Sequence, residues 1–527
     1  MKTLKIYMTV LSVVILSGCS KFLDVEPITQ VTDQNFYKTP DDAFKALVGC
    51  YDGLQQIWAN GMSFPVASEV LSDNTFGGTG ASDGFGYQMV DEFDKTRSPA
   101  DQNMFGDNWI AYYRGIHRCN TLISKLDQIE WGSSNLRATY ESEVRFIRAY
   151  LYFDMVRLWG NIPLLSVPTD EYVPQSNPED VYKLIAEDLM FAADNLAATP
   201  YTAQNAATYG RVTKWAAQAL LARAYLYYTG YYNKPDLAGV IDKAQALAGL
   251  ESIISTGGFG LVEDFANLWP VSLTKYVGED NKETIFAIKY TFTSDYDGNT
   301  DGNHWMVMFG MREQSIYPYG NGWGGGTVNP KLWNAFSDND TRKSASIISI
   351  AKEALPFTNQ SKQREYTGYY VKKYTPLSDK DGNSEAVNHG GVNFMIGQYQ
   401  DYVSIRYADV LLMAAELGST NAQTYFDDVR KRAYKANFTA LPVTKENIMK
   451  ERQLEFAFEG HRYWDLLRQG VDYAANNIAQ EIVVQNAGVN TNKVIKASNI
   501  VQTKGLQQIP YSQITLSNGT LLQNAGW

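Results

Sequence analysis

The stretch from Arg137 to Trp159 most tightly constrains what this chain can fold into. Val144, Ile147, Leu151, Met155 and Leu158 recur at spacings of three and four residues, which line one face of an α-helix. Gly160 and Pro163 end the pattern. A second helix is expected from about Val212 to Tyr228, with Trp215, Ala219, Ala222 and Leu226 on one stripe and further alanines that permit close packing. A third repeats the spacing at Ile405, Ala408, Leu412 and Ala415, and a fourth covers roughly Lys445 to Arg468. Segments 41 to 57, 107 to 128, 178 to 196 and 238 to 255 fit the same pattern. Helix pairs joined by short turns predict a mainly α chain with a tetratricopeptide-like stack, although no strict period of 34 residues is present.

Between these helical blocks, about 259 to 400, the chain is rich in Gly, Asn, Asp and aromatics, with short strand-like runs such as "ETIFAIKY" and "GYYVKKY". Long loops on a rigid scaffold commonly carry binding.

The N-terminus reads as an export signal. Met1, Lys2 and Lys5 precede an apolar run from Ile6 to Leu16, too short to span a bilayer, and small residues follow. Leu16, Ser17, Gly18 and Cys19 resemble a bacterial lipobox, so residues 1–18 are expected to be removed and Cys19 to carry lipid.

Composition excludes several function classes. A net charge of -11 and the lack of a Lys/Arg cluster argue against a nucleic-acid surface. His117, His304, His389 and His461 lie far apart, without H-E-x-x-H spacing or a Cys/His cluster, so no zinc site and no other metal or cofactor is expected. No G-x-S-x-G elbow and no phosphate-binding loop occurs, so the chain is not expected to be an enzyme. Cys50 and Cys119 are too few for a disulfide framework and are expected as buried thiols. Aromatics are abundant, with 35 Tyr, 23 Phe and 11 Trp, which suits a large aromatic core or stacking platforms for a ligand.

Several blocks together resemble the SusD/RagB family of surface lipoproteins. After Cys19 come Phe22, Leu23, Asp24 and Pro27, similar to the family's opening. "EVRFIRAYLYFDMVRLWGNIPL" (143–164) and "GRVTKWAAQALLARAYLYY" (210–228) resemble its helices, followed by "IRYADVLLMAAE" (405–416), "VRKRA" (429–433) and "ERQLEFAFEGHRYWDLLRQG" (451–470). The closing "QNAGW" carries Ala525 and Trp527 where the family commonly has Pro and Tyr. The resemblance implies one domain over 19–527, with a helical scaffold at about 41–258 and 400–470 and a ligand-facing, loop-rich portion at about 259–400. It also implies a place on the outer face of the outer membrane and a SusC-like TonB-dependent transporter as partner. The ligand it implies is an oligosaccharide, with peptide as the alternative and glycoside hydrolysis as the less favoured reading.

Sugar recognition needs aromatic faces against the C–H surfaces of the rings, and amide, carboxylate or guanidinium groups for the hydroxyls. Two loop regions supply both. The first offers Asp73, Asn74, Phe76 and Tyr87; the second, from Tyr290 to Trp323, offers Tyr296, Asn303, Trp305, Tyr317 and Trp323 beside flexible glycines. Glu451, Glu455 and Glu459 are expected on one helix face with Arg452, Arg462 and Arg468 nearby, a salt-bridge network rather than a glycosidase pair. His461 is expected to pack or cap. Asp297, Asn299, Asp301 and Gly302 match half of an EF-hand loop, but Met308 stands where the bidentate glutamate belongs, so a solvated turn is expected. "DKDGNSE" (379–385) is a second oxygen-rich turn of the same kind.

Overall fold

A computed structural model describes residues 36–56, 62–272 and 275–527. The lipobox, Cys19 and the family-like opening at Phe22 to Pro27 lie outside the described residues. The fold is mainly α. Six helices follow in order, α1 Pro40–Gln56, α2 Gly106–Lys125, α3 Ser134–Trp159, α4 Pro178–Asn195, α5 Lys214–Tyr231 and α6 Lys243–Thr256. From α2 onward each packs on the one before it, and α1 packs on both α2 and α3. This is the tetratricopeptide-like stack that the periodicity predicts.

Local chemistry sets the helix ends. Asn177 caps α4 by accepting from the Glu179 N–H, and Asp242 and Gln245 form a reciprocal capping box on α6. That box starts α6 five residues later than the pattern suggests. Gly160 ends α3 at φ +70°, with the Leu506 side chain packed where a Cβ would stand. From Val144 onward α3 is enclosed almost all round, so its charged residues are paired. Arg148 grips Asp188 with two hydrogen bonds of 2.8 and 2.9 Å, and Arg211 closes on Glu143. Cys50 on α1 and Cys119 on α2 are buried free thiols.

The chain between α6 and the next long helices holds short strands and single turns. Strand β1 (Thr284–Ile288) pairs antiparallel with β4 (Tyr402–Arg406), and β2 (Ile347–Ser349) pairs with β3 (Tyr369–Val371). The scaffold then resumes with α7 (Tyr407–Glu416), α8 (Ala422–Tyr434), α9 (Lys445–Glu455) and α10 (Arg462–Leu467). The run beginning at Ile405 is therefore strand for its first two residues and helix only from Tyr407. A hairpin of β5 (Gln480–Asn486) and β6 (Val489–Ile495) follows, which the apolar pattern does not signal. No helix among the described residues is long and apolar enough to cross a membrane.

The stretch expected as one helix from Lys445 to Arg468 is two. Phe458 and Gly460 take positive φ, of 69° and 76°, and turn the chain between α9 and α10. The turn places Glu459 beyond the helix rather than on its face. There its carboxylate accepts from Lys373 at 2.7 Å and from Arg406 at 2.7 Å. Arg406 also reaches Glu283 and Glu455, Arg432 reaches the same two, and Arg342 joins Asp340, Glu451 and Glu455. Burial pushes the Glu455 carboxyl up, but Arg432, Arg406 and Arg342 outweigh it and hold it far below the usual range. A salt-bridge network is thus present at the centre of the molecule, but not with the expected partners: Arg452 pairs with Asp409 and Asp465, Arg462 with Asp73, and Arg468 with Glu416 and Asp465. His461 is buried, its ring 5.0 Å from Phe456, and burial pushes its pKa well down, so it is a neutral packing residue.

Candidate functional site

Helix α2 buries Trp109, Tyr112, Ile116 and Cys119. The helical repeat therefore turns Asp107, Ile110 and Arg114 outward, and all three are exposed. Facing them is the loop 294–304, and between the two lies a cavity of about 510 Å³. Ser294, Asp295, Asn299, Thr300 and His304 line the loop side, and Ile396 closes one edge.

The loop is held by its own polar groups. The Asp295 carboxylate accepts from the N–H groups of Asp297 and Asn299 at 2.8 and 3.0 Å, and Asp301 O accepts from Thr291 N at 2.8 Å. The Ser294 hydroxyl accepts from Gly302 N at 2.5 Å, and Asn303 N donates to Gln398 O at 2.6 Å. Gly302 is required by close approach, since a Cβ there would stand 1.9 Å from the Ile396 carbonyl oxygen. This is the solvated turn expected of the incomplete EF-hand segment. Residues 379–385 form the other, with Asp379 accepting from the N–H groups of Asp381 and Asn383.

His304 stands half-buried on the cavity wall, edge-on to Trp323 with ring centres 5.2 Å apart. Burial lowers its pKa, so near neutral pH the ring is uncharged and offers one donor and one acceptor. The cavity thus sets fixed hydrogen-bonding groups among the apolar surfaces of Ile110, Ala111 and Ile396. Its volume lies in the range of small-ligand sites.

The nine loop residues expected to bind ligand divide sharply. Five are consumed by the fold. Asp73 is buried in a two-pronged ion pair with Arg462 at 2.7 and 2.9 Å; burial pushes its carboxyl up, and the guanidinium outweighs this and holds it below the usual range. Asn74 donates to Glu69 and accepts from Gln453. Phe76 is wholly buried, with the Lys493 ammonium 5.5 Å from its ring centre. Asn303 donates to Gln400 O at 2.7 Å, and Trp305 is 0% exposed among Tyr374, Tyr402 and Phe309. These five lie inside the protein, out of reach of an external ligand in this conformation.

The other four reach the surface. Tyr87 and Trp323 are half-buried. Tyr296 is 67% exposed, its hydroxyl accepting from Asn393 at 2.8 Å. Tyr317 is 45% exposed, with the Lys380 ammonium 6.0 Å from its ring centre. None of the nine lines the cavity: Tyr296 lies on the cavity loop and Trp323 backs it through His304, while Tyr87 and Tyr317 stand apart from it. Sequence reasoning missed Asp107, Ile110 and Arg114, which read as one face of a scaffold helix. It weighed His304 only as a metal ligand. The cluster of Phe292, His389 and Tyr399, with the His389 and Tyr399 ring centres 4.7 Å apart, also went unnoticed.

Among the described residues, one carboxylate cluster has metal-like spacing, Asp91, Glu92 and Glu365. The buried Lys493 ammonium already fills it, at 2.5 Å from Glu365 and 3.0 Å from the other two. A larger cavity of about 780 Å³ lies near α8 and α9, lined by Lys331, Tyr434 and Tyr473 among others. Asp73, Glu451 and Arg462 also face it, and all three are engaged in internal ion pairs.

Two family models match the chain. One described as the SusD family matches residues 350–527, and one described as "Starch-binding associating with outer membrane" matches residues 21–226. A SusD-like protein of Formosa agariphila is 25% identical over 503 residues, which cover 89% of this chain and 91% of that protein. Among solved structures, a laminarin-binding SusD-like protein is 26% identical with a TM-score of 0.73, covering 93% of this chain and all of that one. Surface glycan-binding protein A from Bacteroides thetaiotaomicron, solved in complex with laminarihexaose, is 24% identical with a TM-score of 0.73 over the same shares and is similar in fold.

Proposed function

Because the chain belongs to the SusD family, we propose that it is a surface glycan-binding lipoprotein, which captures oligosaccharide in the cleft between α2 and the loop 294–304. It then delivers the glycan to a SusC-like TonB-dependent transporter in the outer membrane. The observation that carries this reading is the cleft itself. Hydroxyl, amide and carboxylate groups on a loop held by its own hydrogen bonds face the apolar side chains and the guanidinium of a helix fixed in the core. Such a surface matches a pyranose ring, which is apolar on its C–H faces and ringed by hydroxyls. The relatives that bind laminarin and laminarihexaose support the ligand class.

Lipid on Cys19, at the end of the lipobox-like Leu16 to Cys19, would hold the protein at the membrane. Replacing Cys19 by Ala is expected to release the protein into the soluble fraction.

Isothermal titration of residues 20–527 against oligosaccharides and peptides tests the ligand class. Saturable binding to one or more glycans, with no hydrolysis products on prolonged incubation, is expected. Binding to peptides alone overturns the glycan assignment, and release of shorter sugars would make the protein a hydrolase. Copurification with a TonB-dependent barrel from detergent-solubilised outer membranes is expected for the delivery step; isolation without any barrel counts against it.

A further inference from the structure

The cleft carries a charge pattern that selects among glycans, and the inference rests on the reading of the cleft as the capture site. Asp107 on α2 and Asp295 on the loop both line it, and neither forms an ion pair among the described residues. Asp297 and Asp301 lie on the same loop, and residues 293–303 contain no lysine or arginine. Arg114 is the single cationic side chain on the lining, also without an ion-pair partner among the described residues. His304 adds no charge near neutral pH.

An anionic sugar, uronate or sulfate ester, entering this space meets more carboxylates than guanidiniums, inside a protein whose net charge is -11. The carboxylates are also the wrong partners chemically: ionised, they only accept hydrogen bonds, and an anionic substituent has only acceptors to offer. A neutral sugar has hydroxyls that donate to Asp107 and Asp295 and accept from Arg114. We propose that the cleft is a neutral-glycan filter, in which Asp107 and Asp295 reject uronic and sulfated oligosaccharides while serving as hydroxyl acceptors for neutral ones.

A like charge about 7 Å away in a half-solvated cleft weakens binding roughly fourfold, and the two carboxylates offset by the Arg114 guanidinium leave a net effect of about that size at low salt. The test uses matched pairs, laminarihexaose, maltohexaose and xylohexaose, each beside its sulfated counterpart, titrated at low and high salt. The intact lipid-free protein should bind a neutral member severalfold more tightly than its sulfated partner, and high salt should narrow the gap. Asp107→Asn and Asp295→Asn keep an acceptor oxygen at each position and remove the charge. Each should narrow the low-salt gap severalfold, read as the ratio of neutral to sulfated affinity, so that any loss of hydroxyl contacts common to both members cancels. Equal or tighter binding of a sulfated member overturns the filter and leaves glycan capture standing. A gap that neither salt nor either variant changes also overturns it, since size alone would then explain the preference. Binding to no member of any pair overturns the capture reading together with the filter.

Discussion

Replacing Trp305 by Ala separates residues that hold the fold from residues that hold the ligand. Its indole is fully enclosed, with ring centres 5.0 Å from Tyr374 and 5.9 Å from both Tyr402 and Phe309. Truncating a buried tryptophan typically costs ~3–5 kcal/mol, from lost burial and from the cavity left behind. Whole-protein stabilities are about 5–15 kcal/mol, so Trp305→Ala removes roughly a fifth or more of the margin. Urea denaturation followed by far-ultraviolet circular dichroism reads this as a fall in midpoint at unchanged slope. Trp323→Ala should behave oppositely. That side chain is half-buried against His304, so the stability loss should stay under ~2 kcal/mol, while glycan affinity falls severalfold through the loosened His304. If Trp305→Ala kept full stability and lost binding instead, the placement of Trp305 in the core would be wrong.

Two further outcomes are expected. Arg406 serves Glu283, Glu455 and Glu459 at once in the buried network, so Arg406→Met leaves carboxylates short of a partner and should cost ~3–5 kcal/mol by denaturation; a loss under 1 kcal/mol would show that the network is dispensable. Glu69 lies wholly buried, and burial pushes its carboxyl to about 7 against the pull of hydrogen bonds from Asn74 and Gly460. Native protein then holds a proton that unfolded protein releases near 4.5. The stability tied to Glu69, about 3 kcal/mol in all, is therefore present below pH 4.5 and lost as the pH rises to 7. Glu69→Gln should flatten the stability profile between pH 4.5 and 7 relative to wild type, and an unchanged slope would refute the assignment.

The scaffold was legible because helix signals are local. Val144 to Leu158 mark their own face and Gly160 marks its own end, whereas the Asp242 cap, which moves the start of α6 five residues on, was passed over. The charged block at 451–470 could be read as a network, since so many charges among apolar residues must pair to be buried. Its partners could not. Glu283, Arg342, Lys373 and Arg406 come from short elements and turns whose approach no periodicity encodes, and neither does it encode the turn at Phe458.

Depth was the other quantity missing from the sequence. Trp305 and Tyr296 stand in one glycine-rich run, yet one is sealed in the core and the other is 67% exposed, because the chain dives inward between Asn303 and Phe309. Asp73 looks like a sugar-binding carboxylate until Arg462, nearly four hundred residues later, occupies it. Arg114 was hidden for the converse reason: an exposed arginine on a scaffold helix looks like solubility until a loop from elsewhere roofs the space above it. The hairpin at 480–495 gave little alternation because Val483 and Val489 point to solvent.

A crystal structure of residues 20–527 with the tightest-binding oligosaccharide tests the central claim most directly. Sugar rings are expected between Arg114 and Asp295, with hydroxyls in hydrogen-bond contact with Asp107, Asn299 or His304. A glycan found instead in the cavity beside Lys331 and Tyr473, with the α2 cleft empty, would contradict the account.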